Sequence, residues 1–567
     1  MVAATTAWTA AAFGNPDAAH DEGTLRTVGL AWTGCWQWLD APLAAAWTAL
    51  PISTRYCRAA LASALIAGLA SSIAFLLTRR LLVTCADLSR LGPVVSALAT
   101  LTATLGISWQ VEASSAGGAS LGVLLALLPL ALQTETVWPL SRTLPLRALT
   151  VGFAFSYEPL VGAVALASFA TQWRGPWRQA LSRRRQLLAV GACIVGLSPL
   201  VLSVLRYRAP LALTTAPLAR IWTPLTSPLP WLLNEAGLVV LGLSAVGTVL
   251  ALVTSRARPL ALGLLAVAVV GIGGSSFGGP CGPDRFGAPL LAGLAALYAL
   301  AAVALQALVR AVRFARIPFA RTSAALVVIL LLTFPVRSLD ETLARAVDRG
   351  REAGTVWDET AWGAVPFHAI VLVNEPQVIV RALAARASGT LRPDLGLFPS
   401  FDLNGPLARA ELEREPALVP LWRDLALGAK PNEWSLSTLA AARPLLVTFD
   451  PRWDRPLARH LVPVGLFSRF EPEPRGPSDR RRALEALVPQ RRRLAHALTS
   501  VPEPTLLALT TRLLRLRALA MAATGDREVL APALEELLTF APSDPLAAEL
   551  ARRMADRKQL ELQDLTP

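Results

Sequence analysis

Four carboxylates and a set of arginines are the residues of this 567-residue chain whose types and spacing could do chemistry. Asp21 and Glu22 are adjacent, Glu112 follows Trp109 by three positions, and Glu158 sits in a Tyr157-Glu158-Pro159 break. Arg55, Arg58, Arg206 and Arg208 border apolar runs, and Asp284-Arg285 follows a glycine-rich stretch. A carboxylate can take the proton from an attacking hydroxyl. The planar, permanently charged arginine fork suits a phosphate. Together they fit a general base beside a lipid phosphate, whereas taken singly each is an ordinary solvated loop residue. The grouping depends on the elements that carry it.

Other chemistries find little footing. No phosphate-cradling glycine loop, zinc spacing, nucleophile elbow or dinucleotide fingerprint stands in a suitable context. Gly271–Gly282 ends an apolar run and reads as a tight turn. The five cysteines form no Cys-x-x-Cys pair. Cys35 and Cys57 could pair if both face outward, and isolated apolar cysteines are the other reading. His20 near the carboxylates reads as a surface histidine. No residues spaced as metal ligands stand out, and a divalent metal stays an open alternative without support in the sequence.

Positioning these residues is the work of a membrane bundle. The chain is 53% hydrophobic and 17% charged, against about 25% charged in soluble domains. Long apolar runs extend to about Val336, after which charges recur every few residues. The net charge of +14 is carried by arginine, since Lys430 and Lys558 are the only lysines. Much of it falls in short loops between apolar runs, so nucleic acid is excluded as a partner and the lipid bilayer takes its place.

Runs long enough to span a bilayer are Cys57–Thr78, Leu91–Ser108, Gly117–Leu132, Leu187–Leu205, Leu232–Thr254, Leu260–Phe277, Leu290–Val309 and Thr322–Val336. Leu146–Ala170 is interrupted at Tyr157-Glu158-Pro159. If the chain reverses there, the loops Arg79–Arg90, Arg174–Arg185, Arg256–Arg258 and Arg310–Arg321 all fall on the cytoplasmic side; a kinked single span is the alternative. Proline makes a break reasonable by removing a donor and restricting its predecessor. This threading puts Glu158, Trp109–Ala116, Arg206–Trp231, Gly278–Pro289 and everything after Val336 outside.

The expected division is residues 1–56, an outer loop or interfacial segment; 57–336, the transmembrane helices; 337–475, a small extracytoplasmic α/β domain; and 476–567, a helical tail. No secretory signal is visible, and the weak apolar stretch Val2–Gly14 leaves the segment before Cys57 either translocated unaided or lacking an upstream helix. Ala369–Val373 and Leu445–Phe449 read as strands and Gln377–Arg386 as a helix. Glu471-Pro-Glu-Pro-Arg-Gly-Pro-Ser478 reads as a linker. Leu516–Leu550 resembles one tetratricopeptide-type hairpin, with a plain helical pair as the equal alternative.

Pro51-Ile-Ser-Thr-Arg55, then Arg58-Ala-Ala-Leu-Ala-Ser-Ala64 and its alanine-rich continuation, resemble the start of the second span in GT-C-type membrane glycosyltransferases of the protein O-mannosyltransferase-like family. Leu232–Leu252 and Asp284-Arg285-Phe286 match its later spans. Leu391-Arg-Pro-Asp394, Arg443-Pro-Leu-Leu-Val-Thr-Phe-Asp450 and Leu461-Val-Pro-Val-Gly-Leu466 resemble its post-membrane domain. Asp21-Glu22-Gly23-Thr24 stands where the family carries Asp-x-Gly-Glu, with Thr24 in place of the Glu. Trp38-Leu39-Asp40-Ala41-Pro42 replaces a His-Pro-Pro-Gly element. Trp109-Gln-Val-Glu112 is a compressed Trp–Glu turn, and Glu158 replaces a histidine.

The resemblance implies a mainly α, GT-C-like bundle of about nine or ten spans in the bacterial cytoplasmic membrane. It implies sugar transfer from a polyprenyl-phosphate donor to a hydroxyl of a protein or glycan acceptor. Asp21 would be the base with Glu22 and Glu112 assisting, Arg55, Arg58, Arg206 and Arg208 would hold the donor phosphate, and Glu158, Asp284 and Arg285 would line the rim. The altered motifs leave a second reading, an inactive envelope scaffold binding a protein partner through its C-terminal helices. A transporter is the third; it calls for ionisable residues within the spans.

Overall fold

The computed structural model describes residues 1–13, 55–85, 91–114, 118–134, 140–170, 183–206, 229–275, 287–314, 350–388, 391–404, 406–500 and 504–555, with isolated positions between 39 and 51 and between 336 and 340. Two compact units divide the chain, Met1–Asp348 and Arg349–Pro567.

In the described residues the first unit is helical: α1 (Val2–Phe13), α2 (Arg55–Cys85), α3 (Gly92–Thr104), α4 (Ile107–Ser114), α5 (Ser120–Thr134), α6 (Leu140–Tyr157), α7 (Pro159–Ala170), α8 (Arg183–Arg206), α9 (Leu229–Glu235), α10 (Gly237–Val253), α11 (Arg258–Ser275) and α12 (Ala288–Phe314). Ala60–Cys85 and Ala288–Ala311 are long and apolar enough to cross a membrane alone, and α3 with α4 makes a third if that pair, bent by 69°, is one span. Five shorter apolar stretches lie in α5, α7, α8, α10 and α11. Leu187, Ile194 and Val195 on α8 and Leu238, Val239 and Val253 on α10 are exposed. Continuous apolar surface of this kind belongs against lipid rather than water. The chain is an integral membrane protein.

Small residues set the helix spacing, as expected where close packing rather than hydrophobicity drives association. Gly152 on α6 lies against Gly196 on α8, and Gly247 on α10 lies under the Leu300 carbonyl of α12. Part of the expected outer segment 1–56 is itself in the bundle. Ala3 and Ala7 of α1 face Gly68 of α2, and the Thr6 and Thr104 hydroxyls share a hydrogen bond at 3.0 Å. Alanine side chains and hydroxyls bonded internally let this weakly apolar stretch pack inside. The expected span Thr322–Val336 lies outside the described residues apart from Val336.

Helices α6 and α7 reverse on each other. A Cβ at Gly162 would lie 2.8 Å from the Phe155 Cα, whereas residues seven apart along one straight helix are separated by roughly 10 Å. Tyr157-Glu158-Pro159 is therefore a hairpin turn. Gly122 of α5, Tyr157 and Ala288 meet at one end of the bundle. Towards the other end, Arg147 Nε donates to the Pro129 carbonyl at 3.0 Å and its guanidinium stands 4.7 Å over the Phe169 ring.

The second unit opens with α13 (Gly350–Trp362), then β1 (Ile370–Val373), α14 (Pro376–Ser388), β2 (Gly396–Pro399), α15 (Pro406–Arg414), α16 (Val419–Ala426), α17 (Glu433–Ala442), β3 (Leu445–Val447), β4 (Leu461–Val464) and β5 (Phe467–Phe470). The sheet order is β2-β1-β3-β5-β4. β1 is parallel to β2 and β3, and β5 is antiparallel to β3 and β4. β1, β2 and β3 are buried at every residue, which explains their unbroken apolar sequences. Gly465, at φ 53°, supplies the positive φ of the two-residue β4–β5 turn.

Helices α18 (Pro477–Ala486), α19 (Val488–Ser500), α20 (Pro504–Thr524), α21 (Arg527–Phe540) and α22 (Pro545–Ala555) follow. Several helices here begin at proline, whose missing N–H is no loss in a first turn. The segment expected as a linker is held in place: the Glu471 N–H donates to the His460 carbonyl at 2.9 Å and the Arg475 N–H to the Arg459 carbonyl at 3.0 Å. The helical tail packs on the sheet layer. Trp357, fully buried, donates its indole N–H to Thr510 Oγ1 at 3.0 Å, and Trp362 stacks obliquely on Phe467 with centroids 5.0 Å apart.

Candidate functional site

The break between α3 and α4 organises the polar groups of the bundle. A continuous helix would bond the Ser108 N–H to the Thr104 carbonyl; here both are taken by side chains. Glu235 Oε1 accepts the Ser108 N–H at 3.1 Å, and Gln110 Nε2 donates to the Thr104 carbonyl at 2.6 Å. Trp231 Nε1 donates to Ser108 Oγ at 3.1 Å, and the Tyr298 hydroxyl donates to the Glu235 carbonyl at 3.5 Å. A carboxylate at a helix N-terminus is electrostatically favoured by about 0.3–1 kcal/mol or more, so Glu235 both caps α4 and is stabilised by it.

Glu112 lies near the other end of α4 and is only 3% exposed. Its Oε2 accepts the Ala119 N–H at 2.8 Å, at the start of α5, and its backbone carbonyl accepts the Ser63 hydroxyl at 3.3 Å. A Cβ at Gly118 would overlap the Glu112 carbonyl, so Gly118 lies directly against the backbone of Glu112. A buried carboxylate needs such hydrogen bonds to offset its lost hydration. Trp109 is buried on the same helix. The expected outer loop Trp109–Ala116 is thus largely helical, and Glu112 sits within packed protein rather than on an open rim.

Of the other expected residues, Glu158 is half-buried in the α6–α7 turn, beside Tyr157, which packs on Gly122 one turn along α5 from the Ala119 that holds Glu112. Arg58 is half-buried in the first turns of α2, a turn and a half before Ser63. The structure therefore brings Glu112, Glu158 and Arg58 to one end of the bundle, where α12 also begins. Asp21, Glu22, Arg208, Asp284 and Arg285 lie outside the described residues, and Arg55 and Arg206 are described in backbone only. Among the described residues no group of three or more His, Cys, Asp or Glu side chains could hold a metal ion.

Glu235 is the residue that sequence reasoning missed. It falls at the head of the run Leu232–Thr254, where hydropathy averaging hides one acid. The signal available was Asn234-Glu235 beside Trp231, a polar pair at the edge of an otherwise apolar stretch.

The described fold is a mainly α membrane bundle with a separate small α/β unit. No protein-family model matches the chain, and no curated protein does. Among solved structures, the crystal structure of the Archaeoglobus fulgidus oligosaccharyltransferase in the apo form is similar at 10% identity, with a TM-score of 0.44 over 73% of this chain and 68% of that one.

Proposed function

We propose that this chain is a membrane glycosyltransferase that moves a sugar from a polyprenyl-phosphate carrier to an acceptor hydroxyl, with Glu112 as the base. The observation that carries the reading is a buried carboxylate fixed between α4 and α5, at the bundle end shared with Glu158 and Arg58. The acceptor oxygen would attack the anomeric carbon, and its proton would pass to a carboxylate. The anomeric C–O bond would break with its electron pair leaving on the polyprenyl phosphate. Arg58 near that end, with Arg55, Arg206 and Arg208 by the family resemblance, would hold the departing phosphate, and Arg285 would line the rim. Asp21 and Glu22, the base and its helper by the resemblance, would here assist Glu112. The arginine-bearing turns would face the cytoplasm, which places this end and the second unit outside.

The test is transfer by the purified chain in vesicles containing a polyprenyl-phosphate hexose and a serine/threonine peptide or an oligosaccharide acceptor. Glu112→Gln should lower the rate by about 10²–10⁴-fold, the usual contribution of a general base. Equal rates in the two proteins would remove Glu112 from the chemistry, and no transfer with any hexose donor would favour the scaffold reading.

A second reading is favoured by one observation: a helix broken inside the bundle, as between α3 and α4, is also how transporters build a substrate site. Movement of the labelled lipid-linked sugar across the same vesicles without transfer to acceptor would select it.

A further inference from the structure

The second unit carries its own convergence of polar groups, apart from the membrane site. From β1 the chain crosses through α14 to β2 on one side, then returns through α15, α16 and α17 to β3 on the other. The connections thus diverge between the neighbours β1 and β3. Open parallel sheets take ligands in the crevice outside the carboxyl ends of strands at such a point.

The residues at those carboxyl ends are Asn374 after β1, Ser400 after β2, and Thr448 and Asp450 after β3. The Asn374 N–H donates to Thr448 Oγ1 at 2.8 Å and its Nδ2 to Asp450 Oδ2 at 3.1 Å. Ser400 Oγ lies 3.4 Å from Asn374 Oδ1. Asp450 is buried, and Arg452 Nε donates to it at 3.0 Å while the Arg452 side chain stays 75% exposed. Arg512 pairs with buried Glu375 in the same way and is about half exposed. Phe401, half-buried, follows Ser400 directly.

Two features define what such a crevice would hold. Asp450 and Glu375 are each matched by an arginine, so these pairs supply no net charge with which to select a strong anion or cation. The groups at the crevice alternate in role: Asn374 and Ser400 both donate and accept, the buried Asp450 accepts from Asn374 and Arg452, and the exposed Arg452 donates. Neighbouring hydroxyls, each a donor and an acceptor, are the complement of that set, and the Phe401 ring offers an apolar face beside it. The geometry points to a binding site for a neutral polyhydroxyl ligand, a sugar ring, at the β1–β3 switch point formed by Asn374, Ser400, Asp450 and Arg452. The inference stands on the second unit alone and does not depend on transfer at the membrane site.

Saturation-transfer NMR on the full chain in nanodiscs, with methyl α-mannoside, methyl β-glucoside and N-acetylglucosamine as separate probes, tests it. Ring protons of at least one probe should receive saturation from the native protein, with the signal lost in Asn374→Ala and reduced severalfold in Arg452→Gln, whose exposed side chain can change without unfolding the sheet. Glu112→Gln should leave it unchanged, which separates this site from the membrane one. Absence of transfer to all three probes overturns the proposal. So does equal transfer in Asn374→Ala and Arg452→Gln, loss in Glu112→Gln, or broadening of inorganic phosphate in place of sugar binding.

Discussion

Thr104 and Ser108, natural partners in an unbroken helix, are separated at the α3–α4 bend, and Glu235, 127 residues along the chain from Ser108, takes the released N–H at 3.1 Å. Removing that carboxylate would leave a donor unsatisfied inside the bundle. The general cost of such a loss is about 1–3 kcal/mol. Glu235→Ala should therefore lower the melting temperature of the protein in detergent, while Glu235→Gln, which keeps an acceptor oxygen, should restore most of it. If the alanine and glutamine proteins melt alike, the cap is not what holds the bend.

Arg517 of α20, paired with Glu536 of α21, joins the helical tail to the β4–β5 hairpin. Their side chains are 2% and 6% exposed and bonded at 2.8 Å, and Arg517 Nη2 also donates to the Gly465 and Phe467 carbonyls. Breaking a buried pair from one side strands the other charge, at about 3–5 kcal/mol. Arg517→Met should sharply raise the rate of proteolysis in the second unit of the full chain. The double change Arg517→Met with Glu536→Leu should recover part of the resistance and not all, because two carbonyls stay unpaired. No recovery would show that the carbonyl bonds, not the ion pair, carry the coupling.

Much of this could be read from the residues, and the gaps have physical reasons. β1 and β3 stood out because both are unbroken apolar runs next to Asn374 or Pro444. β4 did not, because Pro463 argues against a strand; the residue is tolerated because β4 is at the sheet edge. The reversal at Glu158 followed from Pro159 and from the charge of the loops. The helix α4 was hidden because Gln110, Glu112 and Ser114 look like a loop, and only their internal partners, Thr104, Ala119 and Val111, let them be buried. Glu235 and Ser108 illustrate the general limit, since composition at one point says nothing of a partner far away in sequence.

The proposed sidedness of the bundle turns on the α6–α7 hairpin. Its turn at Glu158 lies at the end where α12 begins, and α11 reaches that same end, with Gly271 against Pro289. The turn from Thr254 to Ala257, ahead of α11, exposes Ser255 and Arg256 and belongs to the opposite end. In a background without native cysteines, Ser255→Cys should react with a membrane-impermeant maleimide only after the cytoplasmic face is opened, in keeping with the arginines around it. Glu158→Cys should react in intact cells. Labelling of Ser255→Cys but not Glu158→Cys in intact cells would mean that Leu146–Ala170 crosses the membrane once, and the grouping of Glu158 with Glu112 would fall.

Acid should loosen the last helix through a single residue. Glu549 on α22 accepts hydrogen bonds from Arg552 and Arg553, and these hold its carboxyl well down, from an ordinary 4.5 to about 2. A carboxylate with a depressed folded pKa adds stability that is complete above its unfolded value and disappears as the proton binds the folded form. The helix should thus be equally protected at pH 7 and pH 5, and lose protection progressively as pH falls from about 4.5 towards 2. Hydrogen exchange of residues 545–555, corrected for the intrinsic rate at each pH, reads this directly. Glu549→Gln should flatten the profile at the lower level throughout. If the native helix holds its protection at pH 3, or the glutamine protein loses it just as steeply, the arginine pair is not what secures α22, and the loss of protection would have to be sought in its packing on α21.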